Sequence, residues 1–137
     1  MKWNNEAEAI LKERFGRDSV IALASVDEGM PQVRYVNAFY EDGCFYILTH
    51  RLSGKMKQLA HNPQAAIAGE WFTAHGTGED IGSFRENHGI AQKMRDVFSA
   101  WIGNGHSDLL DENTCILRIA LTDFVLLFHG RRFEWHA

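Results

Sequence analysis

Two apolar runs joined by Glu41-Asp42-Gly43 constrain this chain more than any other feature. From Gln32 to Tyr40 the residues alternate. Val33, Tyr35, Asn37 and Phe39 fall on one side, and Gln32, Arg34, Val36, Ala38 and Tyr40 on the other. A period of two is the period of a strand. Cys44 to Leu48 follows, apolar, aromatic and β-branched. An acidic turn ending in glycine between two such runs predicts a tight hairpin. Arg34 to Asn37 is then expected on a strand paired beside Phe45 to Thr49.

The same stretch runs on into a helix. Ser53 is a good N-cap, Met56, Leu59 and Ala60 recur at helical spacing, and Asn62-Pro63 is a stop. A helix N-terminus carries about half a positive charge and favours Asp and Glu in its first turn. This one carries Lys55 and Lys57, preceded by His50 and Arg51, with no carboxylate within the turn. Such a start is unfavourable when empty and favourable around an anion. First-turn N–H groups, the Thr49 and Ser53 hydroxyls and the Lys55 ammonium are donors that suit a phosphate. A short helix with solvated lysines is the plainer alternative. Four cations and two hydroxyls within residues 49–57 favour the anion site.

The remaining chain reads as hairpins and helices. Residues 4–15 form an amphipathic helix, capped by Asn4 or Asn5, with Ala7, Ile10, Leu11 and Phe15 on one face and Gly16 at its end. Val20 to Val26 is a strand with apolar residues on both faces, suited to a core on one side and a helix or partner on the other. Gln64 to Trp71 and Thr73 to Ile81 predict a second hairpin. Its glycine-rich arm, HGTGEDIG, suits a bent barrel strand and lacks the context of a phosphate-binding loop. Ile90 to Ile102 predicts a helix with Ile90, Met94, Val97, Phe98 and Trp101 in a stripe, Trp101 being read as core or dimer interface. A polar loop, Asn104 to Asn113, follows. Thr114 to Leu121 and Phe124 to His129 read as two strands broken at Thr122-Asp123, with a last short strand at Arg132 to His136. About six or seven short strands in consecutive hairpins favour a small closed antiparallel barrel with flanking helices, a mainly β fold.

With 137 residues the chain fits one domain, expected to span 1–137. A net charge of −4 gives no global pull toward nucleic acid or an anionic membrane, so neither is expected as a partner. No apolar run reaches the length of about 18 residues that a spanning helix needs, and the N-terminus, MKWNNEAEAILKERF, has no apolar signal core. Cys44 and Cys115 sit in apolar runs and read as buried thiols of a reducing compartment, so a cytoplasmic location is expected. The seven histidines (His50, His61, His75, His88, His106, His129 and His136) show no pair at ligand spacing and no Cys/His motif, so no metal site is expected. Ser25, Ser53, Ser99 and Cys44 lack the context of a hydrolase nucleophile.

Taken together, the leading helix, ALASVDEGMPQVRYVNAFYEDG, FYILTH, SGKMKQLAHNP, HGTGEDIG and CILRIALTDFVLLFHG resemble the FMN-binding split barrel of the pyridoxamine 5′-phosphate oxidase-like superfamily, over residues 4 to 130. The resemblance implies a homodimer with FMN in clefts between subunits. It implies that Arg34, Tyr35, Val36 and Asn37 touch the flavin, and that Leu48, Thr49 and His50 follow the ribityl-phosphate chain. It also implies that Ser53 and Lys55 hold the phosphate. Many members place an arginine directly before that lysine; here the position is Gly54, and Arg51 is expected to supply the charge. Trp71 is the residue offered to the flavin ring from the following hairpin.

The pyridoxamine phosphate oxidases resembled here also carry a C-terminal Arg-x-His pair that grips substrate. His129-Gly130-Arg131-Arg132-Phe133-Glu134-Trp135-His136 does not reproduce it, so the vitamin oxidase activity is not expected. The expected function is an FMN-dependent oxidoreductase acting on a small molecule, with no side-chain acid or base identified. The alternatives are a non-catalytic flavin or deazaflavin binder and a haem-binding protein on the same barrel.

Overall fold

Local hairpins make most of the sheet, and two long-range ladders close it. A computed structural model of the chain describes residues 4–105 and 107–137, leaving Met1 to Trp3 and His106 outside the description. β1 (Ser19–Asp27) turns directly into β2 (Met30–Glu41). β2 turns into β3 (Cys44–His50) through Asp42 and Gly43, whose φ angles are 49° and 87°. Positive φ at both central residues is the hairpin turn whose twist matches that of the strands, as the Asp-Gly pair predicts. β4 (Gln64–Gly69) pairs with β5 (Phe72–Ser83), and β6 (Thr114–Phe128) with β7 (Arg131–His136). The long-range ladders are β1 with β4 and β3 with β6. The order β3-β2-β1-β4-β5-β6 therefore returns from β6 to β3 as a closed antiparallel barrel, and β7 extends β6 outside it.

The closure is uneven at one seam. β2 and β3 are paired only from Phe39↔Tyr46 to Glu41↔Cys44. Beyond that point β2 stays with β1 as far as Met30, while β3 stays with β6 as far as His50. The two strands part and leave a gap between them, so the barrel is split.

Two apolar clusters lie on either side of the wall. Leu23, Tyr40, Phe45, Ile47, Ile67 and Leu117 belong to the barrel interior. α1 (Asn5–Phe15) joins it through Ala7, Ile10, Leu11 and Phe15, with the Phe15 ring 5.7 Å from Phe45 and 5.3 Å from Phe72. α1 is capped by Asn4, whose Oδ1 accepts from the Glu6 and Ala7 N–H groups. The second cluster lies outside the barrel, where α3 (His88–Val97) brings Ala91 and Met94 against Phe39, Phe84, Phe98 and Ile116.

Two sequence expectations change. The helix expected over 90–102 ends at Val97; Phe98 to Ile102 continue in turns, with Trp101 N–H and Ile102 N–H both donating to the Phe98 carbonyl. Trp101 is held there by Asp18 from the barrel side, a contact across 83 positions that helical periodicity cannot anticipate. The break expected at Thr122-Asp123 is a bulge inside one continuous strand: His75 pairs with Asp123 but Gly76 with Leu121. One extra residue on β6 bends the strand without ending it.

Gly76 marks where that bend needs space. A Cβ there would stand 2.6 Å from Ile119 Cγ2 and 2.8 Å from the Ala120 carbonyl oxygen, and the second contact is backbone. Gly76→Ala is expected to lower stability by about 1–3 kcal/mol, as for other overpacked sites. Gly89, in α3 with nothing near its missing Cβ, is the counterpart: Gly89→Ala is expected to raise stability by about 0.4–1 kcal/mol. Urea unfolding of both variants checks the pair, and a Gly76→Ala protein as stable as wild type would show that the bulge has slack.

Candidate functional site

The site sits at the seam and is built from the start of α2 (Gly54–His61) downward. Ser53 occupies the N-cap position in extended conformation, φ −69° and ψ 158°, yet its side chain makes no capping hydrogen bond. Its Oγ is buried and has no partner among the described residues. Leaving a buried hydroxyl unsatisfied costs about 1–3 kcal/mol, so this oxygen calls for a partner from outside the chain. The α2 first turn contains no acidic residue.

Two cations converge on the same place without a counter-ion among the described residues. Burial lowers the pKa of Lys55, and repulsion from the Arg34 guanidinium lowers it further. Arg34 projects from β2 to the same side and is itself destabilised as a cation by burial. Its donors reach the Leu23 carbonyl (3.2 Å), Ser25 Oγ (2.8 Å) and Gln58 Oε1 (3.0 Å), all of them neutral acceptors. The alternation of β2 places Arg34 and Val36 inward and Tyr35 outward, as its pattern predicts.

Beside Lys55 the seam opens into a cavity of about 400 Å³ lined by Val36, Asn37, Ile47, Leu48, Lys55 and Trp101. That volume lies within the range of small-ligand pockets, about 300–1,000 Å³. Val36 and Asn37 come from β2, and Ile47 and Leu48 from β3, just where the two strands separate. Asp18 fixes one wall. Its two carboxylate oxygens accept from Asn37 Nδ2 and Trp101 Nε1, each at 3.0 Å. The Trp101 ring rests on Phe98 with centroids 4.8 Å apart.

The structure thus brings Arg34, Val36, Asn37, Leu48, Ser53 and Lys55 to one seam, and Thr49 continues the same edge of β3. It treats the other expected residues differently. The Arg51 guanidinium, expected to supply the charge missing at Gly54, is engaged by other groups: Nε donates to Asp80 Oδ2 (2.7 Å) and Nη1 to the Glu112 carbonyl (2.8 Å). His50 is paired with Asp111 at 3.3 Å, and its Nδ1 accepts from the Leu52 N–H. The cluster of four cations read from sequence is therefore half balanced, by carboxylates that lie far along the chain. Lys57 turns to a second cavity, lined also by Val26, Asp27, Glu28, Gly54, Gln58 and His61. Tyr35 faces outward from the sheet, and Trp71, with φ 53° in the β4–β5 turn, lines a different cavity with Arg14, Phe128 and His129.

Trp101, Asp18, Ser25 and Gln58 are site residues that sequence reasoning missed. Trp101 carried a signal as the last aromatic of a helical stripe, but nothing in the sequence separates a core position from a cavity wall. Cys115, next to Arg51 and Asp80, is buried, and burial with the nearby Asp80 charge pushes its thiol up to about 11. Both cysteines are free. Among the described residues no group of three or more His, Cys, Asp or Glu converges as a metal site, and no helix is long and apolar enough to cross a membrane.

A mainly β, antiparallel split barrel with an uncompensated cationic seam defines the class of protein. The family profile described as pyridoxamine 5′-phosphate oxidase matches residues 6–126, and the chain belongs to that family. A pyridoxine/pyridoxamine 5′-phosphate oxidase of Bradyrhizobium sp. is 38% identical over 73 residues, which are 51% of this chain and 32% of that enzyme. The chain thus aligns with about a third of the length of the curated relative it matches. A FAD-binding protein from Mesorhizobium loti superposes with TM-score 0.67 at 17% identity, over 90% of this chain and 92% of the other. A heme binding protein from Mycobacterium smegmatis superposes with TM-score 0.72 at 17% identity, over 99% of this chain and 59% of the other. At these identities the structural likeness speaks for the fold alone.

The Arg51 tie gives a pH test. The Arg51 guanidinium and the Gly82 N–H hold the Asp80 carboxyl below the usual carboxylate range. A carboxyl depressed by folding stabilises the protein above its unfolded pKa of about 3.9, and that stabilisation is lost as pH falls through the folded value. Asp80→Asn is therefore expected to unfold at lower urea than wild type near neutral pH. The gap should narrow as pH drops below about 4. An equal gap at every pH would show that the Asp80 charge contributes nothing.

Proposed function

We propose that this protein is an FMN-binding flavoprotein oxidoreductase acting on a small molecule, with the phosphate of the cofactor held at the start of α2. The observation that carries this is the buried Ser53 Oγ, unpartnered among the described residues, beside Lys55, a cation that Arg34 repels and no carboxylate among those residues balances. A phosphate monoester supplies what is missing: negative charge for two cations and an acceptor for an orphaned hydroxyl and the first-turn N–H groups. Val36, Leu48 and Trp101 offer an apolar wall next to that cradle, and Asn37 an amide. When bound, FMN supplies hydride acceptance and donation at its N5 atom. The chain's own residues bind and orient it; the cavity lining contains one ionisable side chain, Lys55, placed for charge and not for proton transfer.

The test separates phosphate from ring recognition. A charge-assisted hydrogen bond is worth about 1.5–3 kcal/mol, so Lys55→Ala is expected to weaken FMN by about 10- to 150-fold. Riboflavin, which lacks the phosphate, should lose little, and Lys57→Ala should do much less to either ligand. Ser53→Ala is expected to act in the same direction as Lys55→Ala. Because an uncompensated Lys55 does not stabilise the empty site, the apo protein should unfold no earlier on its removal. Flavin fluorescence titrations read all of this. Equal losses for FMN and riboflavin would exclude the cradle. The visible spectrum distinguishes the remaining roles: flavin bands bleached by NADH or NADPH mean an enzyme, bands inert to both favour a carrier, and a Soret band means haem.

The same reading includes a homodimer. Cross-strand pairing lays two rows over the outer face, Tyr35–Ala22–Ala68–Thr73–Val125 and Val33–Ala24–Ala66–His75–Asp123. Small alanines lie in the middle, while Tyr35 is 81% exposed and Val33 71%. The β2, β1 and β4 part of this face, from Tyr35 and Val33 across the alanines, is apolar, while Thr73 and the His75–Asp123 pair edge it with polar groups; an exposed apolar patch with a polar rim suits a second copy. Sedimentation of the protein should show one species of twice the 15.6 kDa chain mass. A monomer that still binds FMN would remove the dimer from the proposal and leave the cradle.

A further inference from the structure

We propose that Gln58 is a positioning residue whose neutrality preserves the positive potential of the seam, so that it sets the preference for a phosphorylated over an unphosphorylated ligand. The inference rests on the phosphate cradle proposed above and deepens it.

Gln58 lies on α2, one turn beyond Gly54, and its Oε1 receives two hydrogen bonds. Arg34 Nη2 donates to it at 3.0 Å, and Ser25 Oγ at 2.5 Å. Ser25 Oγ in turn accepts from Arg34 Nη1 at 2.8 Å. Arg34 can only donate, so the atom facing it must be the amide oxygen. One side chain thereby ties β1, β2 and α2 together and fixes the direction of the Arg34 guanidinium.

The acceptor at this place could have been a carboxylate. A carboxylate would have matched the guanidinium with an opposite charge and two acceptor oxygens, the geometry that favours Arg–carboxylate pairs. The other two acceptors of Arg34, Leu23 O and Ser25 Oγ, are neutral as well. The three acceptors satisfy the geometry of the guanidinium and leave its charge in place. That charge is felt at Lys55, where it adds to burial in lowering the pKa. Elsewhere in the same chain the opposite choice is made: Arg51 is neutralised by Asp80, Arg118 by Glu79 and Arg131 by Glu6. Arg34 is held in place by hydrogen bonds alone and remains available to an anion.

Gln58→Glu changes the charge and keeps the shape. The carboxylate would accept from Arg34 and Ser25 as the amide does, so folding should be retained and the apo protein should melt no lower than wild type. FMN should bind on the order of tenfold more weakly, because a new negative charge stands near the site of the phosphate. Riboflavin should bind within about twofold of wild type, and the FMN deficit should shrink as salt is raised. Gln58→Met, which removes the acceptor and adds no charge, should weaken FMN less than Gln58→Glu. Titration of FMN and riboflavin into wild type, both Gln58 variants and Lys55→Ala settles the matter. If Lys55→Ala loses FMN selectively and Gln58→Glu does not, the role of Gln58 is overturned while the cradle stands. If Gln58→Glu weakens riboflavin as much as FMN, its role is structural only and the inference fails. If neither variant discriminates between the two ligands, the cradle itself is wrong and this inference falls with it.

Discussion

The structure depends on where β2 stops pairing with β3. After Glu41↔Cys44 the ladder continues for only two more pairs, to Phe39↔Tyr46, and then each strand follows a different neighbour. Had the hairpin zipped on in the same register, Asn37 would have paired with Leu48 and Val36 with Thr49, and no cavity would separate the two strands. The divergence is stabilised on both sides. β1 holds β2 through a register that runs from Ser19↔Ala38 to Asp27↔Met30, and β6 holds β3 along all seven of its residues. α2 then starts from the end of β3 and sets its N-terminus beside the opening. Cationic cradle and apolar wall are consequences of one interrupted ladder.

Electrostatics in this region separates structural cations from available ones. Arg51 and His50 are engaged by Asp80 and Asp111, contacts that tie the β3 end to β5 and to the loop before β6. Arg34 has three neutral acceptors, and burial disfavours the charge on both Arg34 and Lys55. A folded chain tolerates such an arrangement at some cost to its stability, and perturbed cations beside a cleft mark a candidate functional site.

Local features were legible in the sequence and long-range ones were not. The Asp42-Gly43 turn, the Asn4 cap, the strand alternation around Arg34 and the α2 start follow from residue types within a few positions of each other. They sufficed for the mainly β barrel and for most of the seam. The partners of Arg51 and His50, 29 and 61 positions away, depend on barrel closure, which no periodicity encodes. Trp101 turned out to be a cavity wall because Asp18, 83 positions earlier, fixes its indole. The Thr122 bulge looked like a strand break, since a single unpaired residue and a turn share the same polar signature. Ser53 looked like an ordinary cap; only the three-dimensional surroundings show its hydroxyl turned inward and left alone.

The two apolar clusters have a consequence for how such a chain can diversify. The barrel interior and α1 hold the strands, whereas Trp101 rests on Phe98 in the outer cluster of α3, Phe39 and Ile116. Mutations can accumulate in the outer cluster and reshape one side of the cavity while the inner cluster keeps the barrel folded. Descendants of one ancestor could then acquire different cavities at little risk to foldability. A scaffold divided in this way is well suited to evolutionary exploration, because the wall of the cavity and the core of the barrel answer to different residues.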